Sequence, residues 1–342
     1  MIPIQNIYYL LCYAWNKLDE KDHVKVDGDD LTNLVDLFAK ILINGTRILL
    51  KRGLDSNYKT KVETINGVKG KIDFGTSLKR NQFAQLQATC EFDEFSSDVV
   101  TNQILVATMH SILRIETVDK ELKKQIRGLI LRFPEVSHIA LSKNHFESVR
   151  LHRNNQFYGF LLDVCKIIFD SILPAENKGE YSFIDFTKDE RKMNQLFEHF
   201  IFNFYRQHYS KSQVRRDHIK WQFTSTNDID HKYIPQMKTD ITIERNGQKT
   251  IIDAKYYKET LSSFYDTEKV KSVNLYQIFS YLLNQRDGTE GSSKTKGILL
   301  YPTIDKEYNL VYQYDKHPIQ IRTVDLNQHW TLIEERLMKI LS

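Results

Sequence analysis

The feature that most constrains this chain is a pair of neighbouring strand-like stretches, MKTDITIE (237–244) and KTIIDAKYY (249–257), joined through Arg245-Asn246-Gly247-Gln248. Asn-Gly favours a two-residue type I′ turn, because both central positions need positive φ. In that register Arg245 faces Gln248, Ile241 faces Ile252, and Asp240 faces Asp253. Lys255 lies two residues past Asp253 and so projects from the same face. Ile241, Ile243, Ile252 and Ala254 collect on the other face as candidate core. Two carboxylates directly opposed across a sheet repel, and the arrangement makes sense with a cation between them. Hard oxygen donors suit Mg²⁺, which keeps several waters and accepts phosphate oxygens. Such an ion would activate a water and neutralise charge on a phosphate. Lys255 is expected to orient the attacking water and stabilise the transition state. The expected chemistry is phosphodiester hydrolysis. A plain salt-bridged hairpin, with Lys238 and Lys255 balancing the acids, stays open on this pattern alone.

The rest of the chain sets that hairpin in context. A length of 342 residues suggests two domains, and 41% hydrophobic with 27% charged residues excludes a disordered chain. The net charge of +4 permits an anionic partner without demanding one. Cys12, Cys90 and Cys165 show no metal-ligand spacing and are expected to be reduced, buried thiols. The opening MIPIQNIYYLLCYAWNKL lacks the marks of a secretion signal and is too short to span a bilayer. It is expected to be a buried helix of the N-terminal domain in a cytoplasmic protein.

Periodicity predicts helices over about 30–51, 99–116, 119–132 and 155–173, and extended chain over 60–92 with a hairpin turn at Asn66-Gly67. SILPAENKGEY (171–181) is the expected boundary, giving domains 1–175 and 176–342. Beyond it the spacing predicts a helix over 189–209 and strands at about 219–224, 237–244 and 249–256. A helix over 268–284, strands at 297–302 and 309–314, and a final helix complete it. The fold class is α/β: an α+β N-terminal domain, then a domain with a mixed central sheet flanked by helices.

Asp240…Asp253-Ala254-Lys255 resembles the PD-(D/E)xK nuclease motif, whose acids and lysine lie on adjacent strands. Thr239 stands where that family carries proline, and Pro235 lies five residues before Asp240. The resemblance implies Asp240, Asp253 and Ala254 as metal ligands, the last with only its main-chain carbonyl to offer. It also maps a first-helix acid to Glu198 in LFEHF, and a Q-x-x-x-Y element to Gln277 and Tyr281, of which Gln277 is the better functional candidate. Four segments together, IPIQNIYYLLCYAWNKL, EFDEFSSDVVTNQIL, MNQLFEHF and TDITI…IIDAKYY, resemble the McrC family, the nuclease subunits of McrBC modification-dependent restriction systems. This implies a Mg²⁺-dependent endonuclease acting on double-stranded DNA with modified cytosine. It also implies an N-terminal domain that docks on a hexameric AAA+ GTPase, McrB, and stimulates its GTP hydrolysis.

Other features weigh less. GTEGSSKT (288–295) is one residue from a P-loop, but its strand follows instead of preceding it, so no nucleotide site is expected. His199, His208 and His218 lack metal-ligand spacing. Lys211, Arg215, Arg216 and Lys220 could follow a DNA backbone, although a solvated charge run fits as well. GVKGKIDFGTSLKR (67–80) resembles a stretch of McrC proteins, in which Lys71 and Asp73 could face the GTPase. Two other functions remain open: a non-catalytic adaptor of an AAA+ ring, and a stand-alone nuclease of the same fold.

Overall fold

The computed structural model describes residues 2–15, 33–152, 155–175, 179–223, 232–257, 262–264, 267–285, 295–303 and 307–341. In chain order the first elements are α1 (Ile4–Ala14), α2 (Leu34–Arg52), β1 (Asn57–Asn66), β2 (Lys71–Ile72), α3 (Phe74–Lys79), β3 (Gln87–Ser96) and α4 (Val100–Leu113). Next come α5 (Lys120–Ile130), α6 (Lys143–Ser148), α7 (Gln156–Ser171), β4 (Ile172–Pro174), β5 (Tyr181–Phe183) and α8 (Glu190–His208). The short strands β6 (Val214–Arg215), β7 (His218–Ile219) and β8 (Met237–Lys238) lead into β9 (Ile241–Arg245) and β10 (Gln248–Ala254). The remainder is β11 (Ser262–Phe264), β12 (Thr267–Lys269), α9 (Ser272–Leu283), β13 (Lys296–Thr303), β14 (Asn309–Tyr314), β15 (His317–Asp325) and α10 (Trp330–Leu341). No described helix is long and apolar enough to cross a membrane. Residues 288–294 of GTEGSSKT lie outside the described residues.

The chain divides into two compact units, residues 35–184 and residues 185–342 joined by residues 1–34. Helix α1 is therefore not part of the N-terminal domain, where its place in the sequence suggested it would lie. Its polar side chains show why. The Asn6 amide donates to the carbonyls of Leu326 and Gln328 at 2.8 and 2.9 Å, and Tyr13 Oη donates to Glu334 Oε1 at 2.8 Å. Tyr9 stacks on Trp330 with ring centroids 4.8 Å apart, and Tyr13 meets Phe200 of α8 edge-on at 5.6 Å. An apolar helix face shows only that a helix is buried; these partners decide where.

The 35–184 unit carries an antiparallel sheet in the order β1-β3-β2. Asn66-Gly67 does not turn a hairpin there, contrary to expectation. Asn66 pairs with Gln87, so β1 returns only as β3, after a detour through β2 and α3. Two local devices hold the detour. Gly70, at φ 69°, lets the chain pass where a Cβ would meet the Glu91 carbonyl oxygen. Asp73 caps α3 by accepting from the Thr76 N–H at 3.0 Å.

The other unit is built on a six-stranded sheet in the order β14-β15-β13-β10-β9-β6. β10, β13 and β15 run parallel and the remaining pairs antiparallel, which is the expected mixed sheet. β15 is not among the strands that periodicity predicted, although HPIQIRTVD alternates buried and half-buried residues through His317, Ile319, Ile321 and Thr323. Ile251, Leu299, Tyr301 and Ile321 form one face of the core with Ile278 and Tyr281 of α9. Gly297 brings α9 down onto β13, since a Cβ there would sit 2.9 Å from Ile278 Cγ1. Helix α8 packs against β10 and β6.

Candidate active site

Asn246 and Gly247 both have positive φ, 51° and 73°, as a type I′ turn requires. The ladder pairs Gln248 with Arg245 and Ile252 with Ile241, the register expected from the turn. Asp240 stands one residue before β9. Its Oδ2 accepts from the Ala254 N–H at 3.1 Å, which brings it against the end of β10. Lys255 continues the parallel pairing to β13 by donating its N–H to the Leu300 carbonyl at 3.0 Å. Its Nζ then bridges the two acids, 2.9 Å from Asp253 Oδ1 and 3.2 Å from Asp240 Oδ2. The acids and the amine thus converge as expected.

The group is withdrawn from water. Asp253 is fully buried, and Lys255 and Asp240 side chains are only 15% and 14% exposed. Burial first, and the Asp240 carboxylate second, push the Asp253 carboxyl up to about 7 against the pull of Lys255. Burial alone would lower the Lys255 ammonium, but Asp253 and Asp240 override it and hold it above its ordinary value. Asp253 Oδ2 is a buried oxygen without a hydrogen-bond partner among the described residues. One ammonium therefore compensates two carboxylates and leaves an acceptor unused. That donor set fits a hard divalent cation bound by one or two carboxylates, with water and substrate oxygens completing the shell. Among the described residues no three His, Cys, Asp or Glu side chains converge as a ready-made cage, and Mg²⁺ needs none.

Three comparisons relate this geometry to known proteins. A family model described as McrBC 5-methylcytosine restriction system component matches residues 5–302. Over 340 residues the chain is 32% identical to the type IV methyl-directed restriction enzyme EcoKMcrBC of Escherichia coli K12, covering 99% of this chain and 97% of that protein. The chain belongs to the McrBC family. It is also similar, at 19% identity and a TM-score of 0.64, to a solved half-complex of Thermococcus gammatolerans McrB AAA+ hexamers with bound McrC. That match covers 99% of this chain and 76% of the other, and shows a shared fold.

The remaining site candidates of this McrBC-family chain divide into those near the acids and those elsewhere. Glu198 on α8 lies near enough to Asp240 that burial and then that carboxylate raise its pKa. Arg216 NH2 pairs with Glu198 Oε1 at 2.9 Å. Among the described residues Gln277 reaches the site through Tyr281: its amide donates to Tyr281 Oη at 2.7 Å, and Tyr281 donates to the Lys238 carbonyl at 2.8 Å. Tyr281 is buried in the core cluster and also braces the chain two residues before Asp240. The basic run does not act as one patch. Arg215 pairs with Asp217 at 2.7 Å and Glu244 at 2.6 Å, and Arg216 turns to Glu198, while Lys211 and Lys220 are exposed. Asp73 is engaged in capping α3, and the exposed Lys71 sits opposite Glu91 in the sheet.

Sequence reasoning missed two residues. Asn194, one turn before Glu198 on α8, accepts from the Tyr256 N–H at 2.8 Å and steadies the chain just past Lys255. Its spacing of four from Glu198 is the signal that could have found it. Thr239 takes over the task of the absent proline. It is 1% exposed, its N–H donates to the Asp217 carbonyl at 3.0 Å, and its Oγ1 accepts from the Asp217 N–H at 2.8 Å. The same hydroxyl meets Thr242 Oγ1 at 2.9 Å. Hydrogen bonds on both sides thus hold the backbone before Asp240 where a ring would have restricted φ. Thr239→Val keeps the shape but takes the hydroxyl from the Asp217 N–H and from Thr242 Oγ1, and is expected to cost about 1–3 kcal/mol in urea unfolding. Thr239→Ser is expected to retain most of that stability.

Proposed function

We propose that the chain is the Mg²⁺-dependent endonuclease subunit of a restriction complex that cuts double-stranded DNA with modified cytosine. It works with a McrB-type AAA+ GTPase, whose hydrolysis it stimulates, in the cytoplasm. One observation carries the reading: Lys255 bridges Asp240 and Asp253, and the second oxygen of Asp253 is buried and unpartnered among the described residues. Asp240 and Asp253, with the Ala254 carbonyl, would hold the ion. When bound, Mg²⁺ supplies Lewis acidity that neutralises charge gathering on the phosphate and eases deprotonation of water. Lys255 keeps its proton, orients the attacking water by hydrogen bonding and faces the negative charge of the transition state. Glu198 adds negative charge beside Asp240. The exposed Lys211 and Lys220 are available to the DNA backbone. The test is nicking by the assembled complex with GTP, in Mg²⁺ and in EDTA. Cleavage in EDTA, or none in Mg²⁺ with GTP hydrolysis intact, sinks the reading, the second outcome leaving an adaptor.

The 35–184 unit is the proposed docking body for the GTPase. Phe74 and Leu78 are exposed on α3, next in sequence to Lys71 and Asp73, and Leu86 ahead of β3 is 84% exposed while held at φ 57°. Backbone strain at a non-glycine residue is a mark of functional segments, and the leucine held there offers apolar surface to a partner. Leu86→Asp is expected to weaken stimulation of the partner's GTPase by at least about tenfold, with an unchanged circular dichroism spectrum. Stimulation at the wild-type level would place the docking surface elsewhere.

A further inference from the structure

We propose that Arg216 is a positioning residue: it fixes the Glu198 carboxylate beside Asp240 and so strengthens cation binding at the acids, instead of gripping DNA. The proposal rests on the Mg²⁺ reading of the site. Glu198 and Phe202 are four residues apart on α8 and so share a face. The Arg216 guanidinium engages both. Its NH2 lies 2.9 Å from Glu198 Oε1, and its central carbon lies 4.7 Å from the centre of the Phe202 ring. The ion-paired side chains are only 23% and 21% exposed, so the contact is largely out of solvent. Contact with the ring restrains the guanidinium, and the ion pair holds the Glu198 carboxylate to it. Arg216 Nε is buried without a hydrogen-bond partner among the described residues. An arginine that follows a phosphate backbone would instead present its N–H groups to solvent.

The arrangement solves a local problem. The Asp240 carboxylate disfavours charge on Glu198, while Arg216, Lys255 and Lys238 favour it, and among the described residues Arg216 is the cation in ion-pair contact with Glu198. Arg216 restrains it, whereas the Lys255 ammonium is already taken by Asp240 and Asp253. The sign of the effect separates this role from simple charge. Deleting a nearby positive charge should by itself tighten cation binding, whereas losing the orientation of Glu198 should loosen it.

The test is Mn²⁺ binding to the full chain without DNA, followed by electron paramagnetic resonance, with DNA affinity measured separately in EDTA. Arg216→Met is expected to weaken Mn²⁺ binding by about tenfold and to leave DNA affinity unchanged, with Arg216→Lys falling between. Phe202→Leu, which removes the ring beneath Arg216 and Arg206 but keeps the ion pair, is expected to lose about threefold, and it serves should Arg216→Met not fold. Unchanged or tighter Mn²⁺ binding with weaker DNA binding overturns the proposal in favour of a phosphate contact. Asp253→Asn is the reference. If the wild-type chain binds no Mn²⁺, or Asp253→Asn binds it as well as wild type, the metal reading falls and this inference with it. If only the Arg216 and Phe202 variants behave as wild type, this inference alone falls.

Discussion

Asp253→Asn is expected to lower DNA cleavage by the complete complex at least about a thousandfold, with partner binding and GTP hydrolysis unchanged. The substitution keeps the size and shape of a side chain that is wholly buried. It replaces one of two carboxylate oxygens by an N–H₂ group, and so removes both a negative charge and a metal-ligating atom. Asp253 is the acid to test because its Oδ2 is the oxygen the described residues leave unused, while Oδ1 already accepts from Lys255 at 2.9 Å. Asp253 also belongs to a different compact unit from the exposed segment around Phe74 and Leu86. Loss of cutting and loss of GTPase stimulation should therefore separate. Single-turnover cleavage in Mg²⁺ and GTP measures the first, and phosphate release measures the second. Cleavage within tenfold of wild type would remove Asp253 from the chemistry.

Lys255→Met is expected to abolish cleavage as well, and to destabilise the folded chain by about 3 kcal/mol near pH 8. The ammonium is the cation bridging Asp240 and Asp253. Without it two acids remain close together in a site from which water is largely excluded. The pH dependence follows from Asp253, whose carboxyl is raised to about 7 in the folded chain against 3.8 unfolded. A group with a raised folded pKa takes up a proton on folding, so the penalty grows as pH rises above about 4 and shrinks as pH falls. Removing Lys255 raises that carboxyl further and widens the window. Urea unfolding at pH 5 and pH 8, in EDTA, measures the difference. The double variant Asp253→Asn, Lys255→Met should regain most of the lost stability, because the buried charge needing compensation is gone. A Lys255→Met variant as stable as wild type at pH 8 would mean that the bridge contributes nothing.

Much of the candidate site is legible in the sequence. The turn at Asn246-Gly247 and the two-residue period of a strand together set the register, and the register alone places Asp240, Asp253 and Lys255 within reach of one another. Most helices and the longer strands of the central sheet are equally readable, since their buried faces repeat at local spacings. Where the same local logic fails, a distant partner intervenes. Asn66-Gly67 carries the same dipeptide as Asn246-Gly247, yet its strand waits twenty-one residues to pair Asn66 with Gln87. Asp73 and Gly70 hold the chain in that detour.

The chemistry on offer is written locally: two acids and an amine in a strand register that turn and pleat geometry enforce. That α1 packs with α8 and α10, that Thr239 clasps Asp217 in place of a proline, and that Arg216 turns to Glu198 came from the folded packing alone. Each of those outcomes depends on which surfaces meet across long stretches of chain. Burial and charge pairing are settled there, and no periodicity within a single element records them.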